Sequence, residues 1–276
     1  MSNYVFLIDA NKQPMNPIHP AHARKLMEAC IAAVFRRYPF TLIMNRVVEN
    51  IVTYPLTLKI DPGSKTTGIS LVSNRDEVIW GMELEHRGQQ IKDSLLNRKA
   101  VRRGRRQRNT RYRKARILKQ ASSPLKDAAA VNATRGKLFE TLSRTGLPVT
   151  TGTGGQTKYN RTRLGLPKTH WLDAACVGIT ETLHILTQKI LRVKATGYGT
   201  RRLCRMDKFG FPCSKPRQSH KTRWKTGDIA RTLDGVVGRV VVQNEKRIEV
   251  RVNGKRCYCK PDEVKPMHRK DGYSYA

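Results

Sequence analysis

The sequence predicts a mixed α/β protein in which an arginine-rich helix interrupts a central sheet. A small α/β module precedes the sheet, and a β-barrel-like domain follows it. Three observations favour this class. Three apolar segments lie between residues 56 and 84, a strongly basic helical segment comes after them, and short alternating strands fill residues 225–276.

The charge of the chain limits its choice of partner. The 276 residues include 54 Lys and Arg against 21 Asp and Glu, and the formal net charge is +33 at pH 7. A polyanion relieves such self-repulsion, so the composition indicates a nucleic-acid partner. No apolar run approaches the roughly 18 residues of a membrane span, and the N-terminus lacks the pattern of a secretory signal. We therefore expect a soluble, cytoplasmic protein with no membrane partner.

The six cysteines give little indication of a bound metal. Only Cys257 and Cys259 are close in sequence, and their Cys-x-Cys spacing matches the usual zinc chelate poorly. We expect no disulfides. A zinc site formed by Cys204, Cys213, Cys257 and Cys259 is the less favoured alternative.

The first two zones of the chain read as a small module and a strand meander. In residues 1–54 the pattern predicts a short helix from about residue 22 to 32 and a strand near FTLIM. The segments LTLKID, GISLVS and EVIWGMEL, within residues 56–84, alternate as antiparallel strands do. Asp61 ends the first of these strands.

The most unusual segment runs from Arg98 to Lys119. It holds 12 Lys or Arg among 22 residues, and no acidic residue lies between Asp93 and Asp127. Like charges at helical spacing repel one another, so this helix is expected to insert between phosphate backbones, which arginine contacts in a forked geometry. The predicted nucleic-acid contacts here are Arg98, Arg102, Arg103, Arg105, Arg106, Arg108, Arg111 and Arg113.

After Pro124 the pattern predicts an amphipathic helix that ends near Gly146, then a short strand and a Gly-rich, basic loop up to residue 169. Within this loop we predict nucleic-acid contacts at Lys158, Tyr159, Arg161 and Arg163.

His170 and Asp173 lie three residues apart at the start of the next helix, and hence on one face of it. Most pairs of this kind are ordinary surface contacts. Together with Asp61, however, they suggest half of a two-metal nuclease site, in which Asp61 and Asp173 hold Mg²⁺ and His170 positions the attacking water.

The C-terminal part alternates over several short strands, with a hairpin signal at VNGK, and predicts a small β-barrel. Arg201, Arg202, Arg223 and Trp224 precede or open it, and an aromatic ring among cations suits stacking on RNA bases. An equally favoured interpretation makes Trp224 a core residue.

Several long motifs together resemble the IscB family, the transposon-associated, RNA-guided DNA endonucleases related to single-protein CRISPR effectors. They are IDPGSKTTGIS, the Arg-rich segment, KYNRTRLGLPKTHWLDAACVG and the closing DKFGFP, KTGDIARTL and DGYSYA.

The resemblance implies five regions and a set of roles. They are a PLMP-like module over 1–54, the first part of an RNase H-like RuvC sheet over 55–90, a bridge helix over 91–120, the RuvC remainder over 121–195, and over 196–276 a β domain that contacts guide RNA and the target-adjacent motif. Asp61 matches the first RuvC motif, and His170 and Asp173 match the third. The implied partners are a structured guide RNA of the omega-RNA kind and double-stranded DNA with a short flanking motif, in the prokaryotic nucleoid.

Two family elements are missing. The strand that carries the second RuvC motif, with its catalytic Glu, and the HNH nuclease domain have no counterpart between residues 119 and 168. The metal site therefore lacks its third carboxylate, and we expect Mg²⁺ to be weakly held. Asp127 or Glu140 as a replacement is a less favoured alternative. We also expect LTLKID to pair directly with LPVTT, because an open edge would expose unpaired backbone groups.

These observations favour an RNA-guided DNA-binding protein that does not cleave. The alternative is an RNA-guided nickase that uses the residual site of Asp61, His170 and Asp173. A third interpretation is a guide-RNA chaperone or a decaying remnant.

Overall fold

Two compact units make up the computed structural model, which describes residues 3–108, 127–197, 207–208 and 222–276. Unit 1 comprises Met1–Ala32, Ile43–Ala195 and Ser274–Ala276, and unit 2 comprises Ala33–Leu42 and Thr196–Tyr273. Helices and sheets are both present, so the predicted mixed α/β class is confirmed.

The elements follow one another in two stretches that flank the undescribed residues 109–126. The first stretch contains β1 (Val5–Ile8), β2 (Pro14–Ile18), α1 (Pro20–Glu28), β3 (Ala32–Arg36), β4 (Thr41–Met44), β5 (Leu56–Asp61), β6 (Thr66–Ser73), β7 (Glu77–Glu85) and α2 (Gly88–Gln107). The second contains α3 (Asp127–Ser143), β8 (Val149–Thr151), α4 (Gly154–Arg163), α5 (His170–Ala175), β9 (His184–Ile185), β10 (Leu191–Ala195), β11 (Ile229–Arg231), β12 (Val237–Val242), β13 (Ile248–Val252), β14 (Lys255–Cys259), β15 (Lys265–His268) and β16 (Tyr273–Tyr275).

The central sheet of unit 1 is built on the predicted meander. Strand β6 pairs antiparallel with both β5 and β7, which confirms the three strands. The turn into β7 is closed locally, since Ser73 Oγ accepts from the backbone N–H of Arg75 at 3.2 Å and Asp76 adopts a left-handed φ of 56°. The strand order is β16-β10-β7-β6-β5-β8, and β9 also pairs with β7.

Strand β8 closes the edge of β5. The two strands run parallel, and Leu58 faces Val149 while Ile60 faces Thr151. The expected pairing of LTLKID with LPVTT is therefore confirmed. It satisfies backbone groups of β5 that a missing neighbour would have exposed.

The two faces of this sheet carry different layers. Leu58 and Ile60 of β5 belong to a cluster with Ile69, Leu71 and Trp80, against which Leu138 and Leu142 of α3 pack. Helix α5 packs through Trp171, Leu172 and Ala175 with Val72 and Val78. Because side chains alternate along a strand, Lys59 and Asp61 point away from Leu58 and Ile60.

The N-terminal helix is shorter than predicted. Helix α1 ends at Glu28, and Ala32, the expected last helical residue, begins β3 instead. Cys30 adopts a left-handed φ of 55°, which terminates the helix, and the apolar residues after it enter a strand.

The predicted Gly-rich loop is wrong over residues 154–163, which form α4. Thr153 caps this helix by accepting from the backbone N–H of Gln156, at 3.4 Å. Asn160 is buried and donates to the carbonyls of Cys176 and Gly178, both at 2.9 Å. These contacts with residues distant in sequence stabilise a helix whose Gly-Gly start has poor propensity.

The basic segment is helical as far as the structure describes it. Helix α2 begins at Gly88, ten residues before Arg98, and contains no buried residue along its 20 positions. Residues 109–119 of the predicted helix lie outside the described part. Helix α3 ends at Ser143, and Gly146 follows it with a left-handed φ of 78°.

Unit 2 contains a five-stranded antiparallel sheet of order β14-β13-β12-β11-β15. Asn253 and Gly254 are both left-handed, as a tight hairpin between β13 and β14 requires, so the predicted VNGK hairpin is confirmed. Closure of these strands into a barrel stays a prediction. In the described ranges of the whole chain, no helix combines the length and the apolar character needed to cross a membrane.

Helix α5 approaches the sheet at Gly68 of β6. A Cβ atom on this glycine would lie 1.8 Å from the carbonyl oxygen of His170 and 2.8 Å from the backbone nitrogen of Trp171. Two residues further along β6, Ser70 Oγ donates to the carbonyl of Trp171 at 2.5 Å. Only glycine permits this close approach of backbone to backbone.

We expect Gly68→Ala to lower the free energy of unfolding by about 3 kcal/mol or more, because the added methyl group meets backbone that cannot rotate away. Urea denaturation followed by circular dichroism measures the change. Gly104→Ala is the matched control, since nothing lies within 4 Å of its added Cβ. It should stabilise α2 by about 0.5–1 kcal/mol. Equal stabilities of the two variants would contradict the packing described for α5.

Candidate metal and nucleic-acid sites

The predicted site residues meet at one end of β5. Asp61 is the last residue of this strand, and His170 and Asp173 occupy the first turn of α5. One ligand atom of each residue lies within 4.8 Å of the others. Asp61 and Asp173 are half-buried and His170 is exposed, so the group is open to solvent on the histidine side.

Helix α5 has only six residues, and charged side chains hold both of its ends. At the N-terminus, Glu83 Oε1 accepts from the backbone N–H groups of His170 at 3.0 Å and Trp171 at 3.4 Å. At the C-terminus, Lys59 Nζ donates to the carbonyl of Ala175 at 3.3 Å. An anion at the start and a cation at the end both complement the helix dipole.

The sheet register explains why these groups converge. Gly68 faces Asp61 on one side and Glu83 on the other, so the three strands present a carboxylate, a gap and a second carboxylate in one row. The gap at Gly68 receives the start of α5. Sequence reasoning missed both Gly68 and Glu83. For Gly68 a signal was available, because a glycine inside the predicted strand GISLVS often marks a close approach of another backbone. The sequence contained no comparable signal for Glu83.

A guanidinium lies against the carboxylate of Asp173. Arg161 of α4 places Nε 2.8 Å from Asp173 Oδ1, with 11% and 15% of the two side chains exposed. The contact is an ion pair without aligned hydrogen-bond geometry: within the described residues neither atom has a hydrogen-bond partner. Asp173 Oδ1 is thus a buried acceptor that a cation could still engage.

Burial and neighbouring charges perturb the titration of this region. Burial raises the pKa of Asp61, the carboxylate of Asp173 raises it further, and His170 and Arg135 oppose the rise. Burial lowers the pKa of Lys59 and raises that of the Cys176 thiol to about 11. Cys176 is therefore an inert core thiol rather than a nucleophile.

The donor set suits one divalent cation. Two carboxylates and an imidazole offer three ligand atoms close together, the kind of oxygen-rich set that Mg²⁺ takes when water fills its other positions. Glu140 is exposed on α3 and does not belong to this group. The side chain of Asp127 lies outside the described part, so its proposed replacement role stays a prediction.

The predicted contacts on α2 are all exposed. Arg98, Arg102, Arg103, Arg105 and Arg106 lie on the helix, and Arg108 is its C-terminal cap residue. The remaining predicted contacts Arg111, Arg113, Arg201 and Arg202 lie outside the described residues, as do Cys204 and Cys213 of the alternative zinc site.

The predicted contacts on α4 divide into two kinds. Lys158 and Tyr159 are exposed, and Tyr159 shows 68% of its surface to solvent. Arg161 instead contacts Asp173, and Arg163 donates through Nη2 to the carbonyl of Thr180. Arg161 is turned inward and Arg163 contacts backbone from an exposed position, and the loop interpretation could not foresee either contact.

In unit 2 the structure selects the core interpretation of Trp224. This ring is 3% exposed, packs with Val240 and Val250, and donates through Nε1 to the carbonyl of Pro261 at 2.9 Å. Its use as a surface stacking platform is therefore wrong. Arg223 remains exposed beside it.

Sequence reasoning missed a basic row across the sheet of unit 2. Arg239, Arg251 and Arg256 stand directly opposite one another on β12, β13 and β14. In the next row the buried Glu249 accepts from Arg251 Nε at 2.6 Å, which lowers the pKa of this glutamate. Beside it, Arg247 lies 4.2 Å from the ring centroid of the exposed Tyr258. The available signal was the alternation of charged and apolar residues in RIEVRVNGKR, which places the charged side chains on one face of the sheet.

Comparison with known proteins identifies the family. A protein-family model described as "RRXRR protein" matches residues 5–143, just over half of the chain. The chain belongs to the RRXRR protein family. The pattern in that description occurs in this RRXRR protein as Arg102-Arg103-Gly104-Arg105-Arg106 on α2. The match includes Asp61 but ends before His170 and Asp173.

The other comparisons found distant similarity or none. Among solved structures, this RRXRR protein is similar to T. thermophilus RuvC in complex with Holliday junction substrate, at 19% identity and a TM-score of 0.26, with 45% of this chain and 90% of that chain covered. No curated protein matches it.

We expect the stability of this RRXRR protein to depend on the ionisation of Asp61. Burial and Asp173 raise its pKa in the folded state, so the free energy of unfolding falls as pH rises from the unfolded-state pKa to that higher value. Asp61→Asn should therefore stabilise the protein more at about pH 8 than at about pH 4. The lower pH lies near the pKa of Asp in the unfolded chain, where little of the cost has yet appeared. Thermal melts across this range measure the difference. Asp93→Asn, an exposed change on α2, is the control and should show no such trend.

Proposed function

We propose that this protein binds a structured guide RNA and, through it, matched double-stranded DNA, and that it does not cleave. In this proposal it derives from an IscB-type, RuvC-containing nuclease. The guide reads the target sequence, and the protein contacts backbone shape and a short flanking motif. Three features support the proposal: the exposed basic helix, the strand order of the central sheet, and a site that holds two carboxylates instead of three.

The observation that carries the proposal is the surface of α2. No residue of this helix is buried, and five arginines project from its second half without an acidic neighbour in the same stretch. A helix without buried apolar contacts gains little from packing, and like charges at helical spacing oppose it. Phosphates on several sides would supply the missing counter-charge, each guanidinium contacting two oxygens.

The central sheet supports the nuclease ancestry. Three antiparallel strands are extended on one side by the parallel strand β8, and Asp61 ends the strand beside it. This arrangement agrees with the RuvC sheet that the IscB resemblance implies, shortened by one strand. The direct β5–β8 pairing leaves no place between these two strands for one bearing the second motif.

Charge balance argues against cleavage. In a two-metal mechanism the carboxylates must offset about four positive charges and fix two ions about 3.5–4 Å apart around the scissile phosphate. Asp61 and Asp173 supply two negative charges, and Arg161 already neutralises part of one. Mg²⁺ dehydrates reluctantly and needs near-octahedral ligands, so a second ion would be held weakly.

A nickase is the second candidate, and one observation favours it. Asp61, His170 and Asp173 remain gathered within 4.8 Å although the strand between them in the family is missing. A single metal with a histidine-positioned water could then hydrolyse one strand slowly. Neither proposal includes cleavage by an HNH domain. Among the described residues, the one group of possible metal ligands is Asp61, His170 and Asp173.

The RNA that copurifies with the protein tests the proposed function. One abundant structured RNA, together with binding of DNA that matches its guide segment, would support it. Random cellular RNA, with no preference for matched DNA, would replace it with nonspecific association of a basic protein. Thermal melts with and without the purified RNA distinguish a working ribonucleoprotein from a remnant, because a specific ligand raises the melting temperature.

We expect replacement of four α2 arginines by alanine to reduce the salt dependence of RNA binding by about 3 units of log slope, at about 0.7–0.9 per lost phosphate contact. The variant changes Arg102, Arg103, Arg105 and Arg106. The control removes four exposed charges elsewhere in unit 1, at Lys12, Arg24, Lys25 and Arg75, and should leave RNA binding nearly unchanged. Asp61→Ala and Asp173→Ala should also leave binding unchanged. Full affinity of the α2 variant across a salt series would show that the helix does not bind the backbone.

We expect neither strand of end-labelled matched DNA to be cut in Mg²⁺ or Mn²⁺. Each 1.4 kcal/mol of lost transition-state stabilisation slows the reaction about tenfold, and loss of a metal-holding carboxylate exceeds one such step. Denaturing gels resolve the products. Guide-dependent nicking that disappears in Asp61→Ala would establish the nickase and overturn the cleavage-deficient assignment.

A further inference from the structure

We infer that Arg161 is the resident counter-cation of Asp173 and competes with divalent metal for this carboxylate. In this view the guanidinium occupies part of the space beside Asp173 that a metal ion would take. The inference deepens the proposed function and rests on it only for the ancestry of the site. The competition itself concerns this chain's own residues.

The geometry brings a permanent charge to a metal ligand. Arg161 Nε lies 2.8 Å from Asp173 Oδ1, and both side chains are nearly buried. The guanidinium of arginine carries a positive charge delocalised over a planar group. At low solvent exposure the attraction is less screened than in a surface ion pair.

Helix α4 delivers this arginine from a fixed position. Asn160 is anchored to the carbonyls of Cys176 and Gly178, and Arg163 donates to the carbonyl of Thr180. Arg161 therefore lies between two anchored residues of the same helix. The contacts of its neighbours fix the backbone from which its side chain reaches Asp173.

The contact differs from an ion pair built for stability. Arginine and carboxylate in such a pair usually form two parallel hydrogen bonds. Here, within the described residues, Arg161 Nε and Asp173 Oδ1 both lack an aligned hydrogen-bond partner. The attraction is thus mainly Coulombic, and the buried oxygen keeps a lone pair for another cation. A displaceable cation fits these facts better than a structural clamp.

Competition follows from the charges. One divalent ion beside Asp61 and Asp173 would neutralise the pair, and the nearby guanidinium would then be in excess and repel the ion. A second ion would add two more positive charges without a further carboxylate in the group. Arg161 therefore limits the site to one divalent ion and weakens the binding of that ion.

Trp171 permits a local measurement of this effect. It lies between the two ligands of α5 and is 7% exposed, so its excitation can sensitise luminescence of Tb³⁺ bound beside it. Titration of the RNA-free full chain with Tb³⁺ gives an affinity for this site. We expect Arg161→Gln to bind Tb³⁺ about tenfold or more tightly than wild type, because it removes a repelling charge in a poorly solvated place. Arg161→Met, which keeps the aliphatic stem, should behave alike if the Gln variant fails to fold.

Four control variants make the result specific. Lys158→Gln removes the same charge from an exposed position on the same helix and should alter affinity by less than about twofold. Arg161→Lys keeps the charge and should remain near wild type. Asp173→Asn in the Arg161→Gln background should abolish the gain, and Trp171→Phe should abolish the local signal.

The outcomes separate the inference from the proposed function. Equal Tb³⁺ affinities of Arg161→Gln, Arg161→Met and Lys158→Gln, or weaker binding by the two Arg161 variants, would overturn the competition and leave Arg161 as a structural residue. Guide-dependent DNA binding is measured separately in EDTA. Its failure would overturn the proposed function and leave the metal competition standing.

Discussion

The close approach of helix α5 to the backbone of β6 is the contact on which the candidate site depends. Gly68 leaves the space, and the carbonyl of His170 fills it. A helix of six residues has little stability of its own, so its position comes from Glu83 and Lys59 at its two ends and from Trp171 and Leu172 in the core. With α5 placed in this way, His170 and Asp173 necessarily face the end of β5, where Asp61 lies.

Sequence patterns predicted the parts of this fold that local chemistry determines. The meander, the Asn-Gly hairpin and the pairing of β5 with β8 followed from alternation, turn residues and the cost of an open edge. Asp61, His170 and Asp173 were identified from their positions at a strand end and on one helix face, and then from the motif resemblance. Helix α4 was not predicted, because Asn160 and Thr157 stabilise it through burial and contacts that a local pattern does not contain. Arg161 was assigned to phosphate for the same reason: its partner is set by tertiary placement.

Charged side chains play two opposite roles in this protein. On the second half of α2 the arginines are exposed with no acidic residue in the same stretch, and they favour an external polyanion. Around the site they are turned inward, where Lys59, Glu83 and Arg161 stabilise helix ends or offset a carboxylate. A count of charges cannot distinguish these groups. The distinction requires the faces of the strands and helices, which is why the net charge indicated the partner class but not the individual contact residues.

The arginine row of unit 2 makes the stability of its sheet depend on salt. Arg239, Arg251 and Arg256 repel one another across adjacent strands, and Glu249 offsets only part of this. Added salt shortens the screening length to about 10 Å at 0.1 M and weakens that repulsion. The ligand-free sheet therefore becomes more stable as ionic strength rises. The same ions weaken attraction to phosphate. At low ionic strength an anionic ligand bound to this row would therefore also stabilise the sheet.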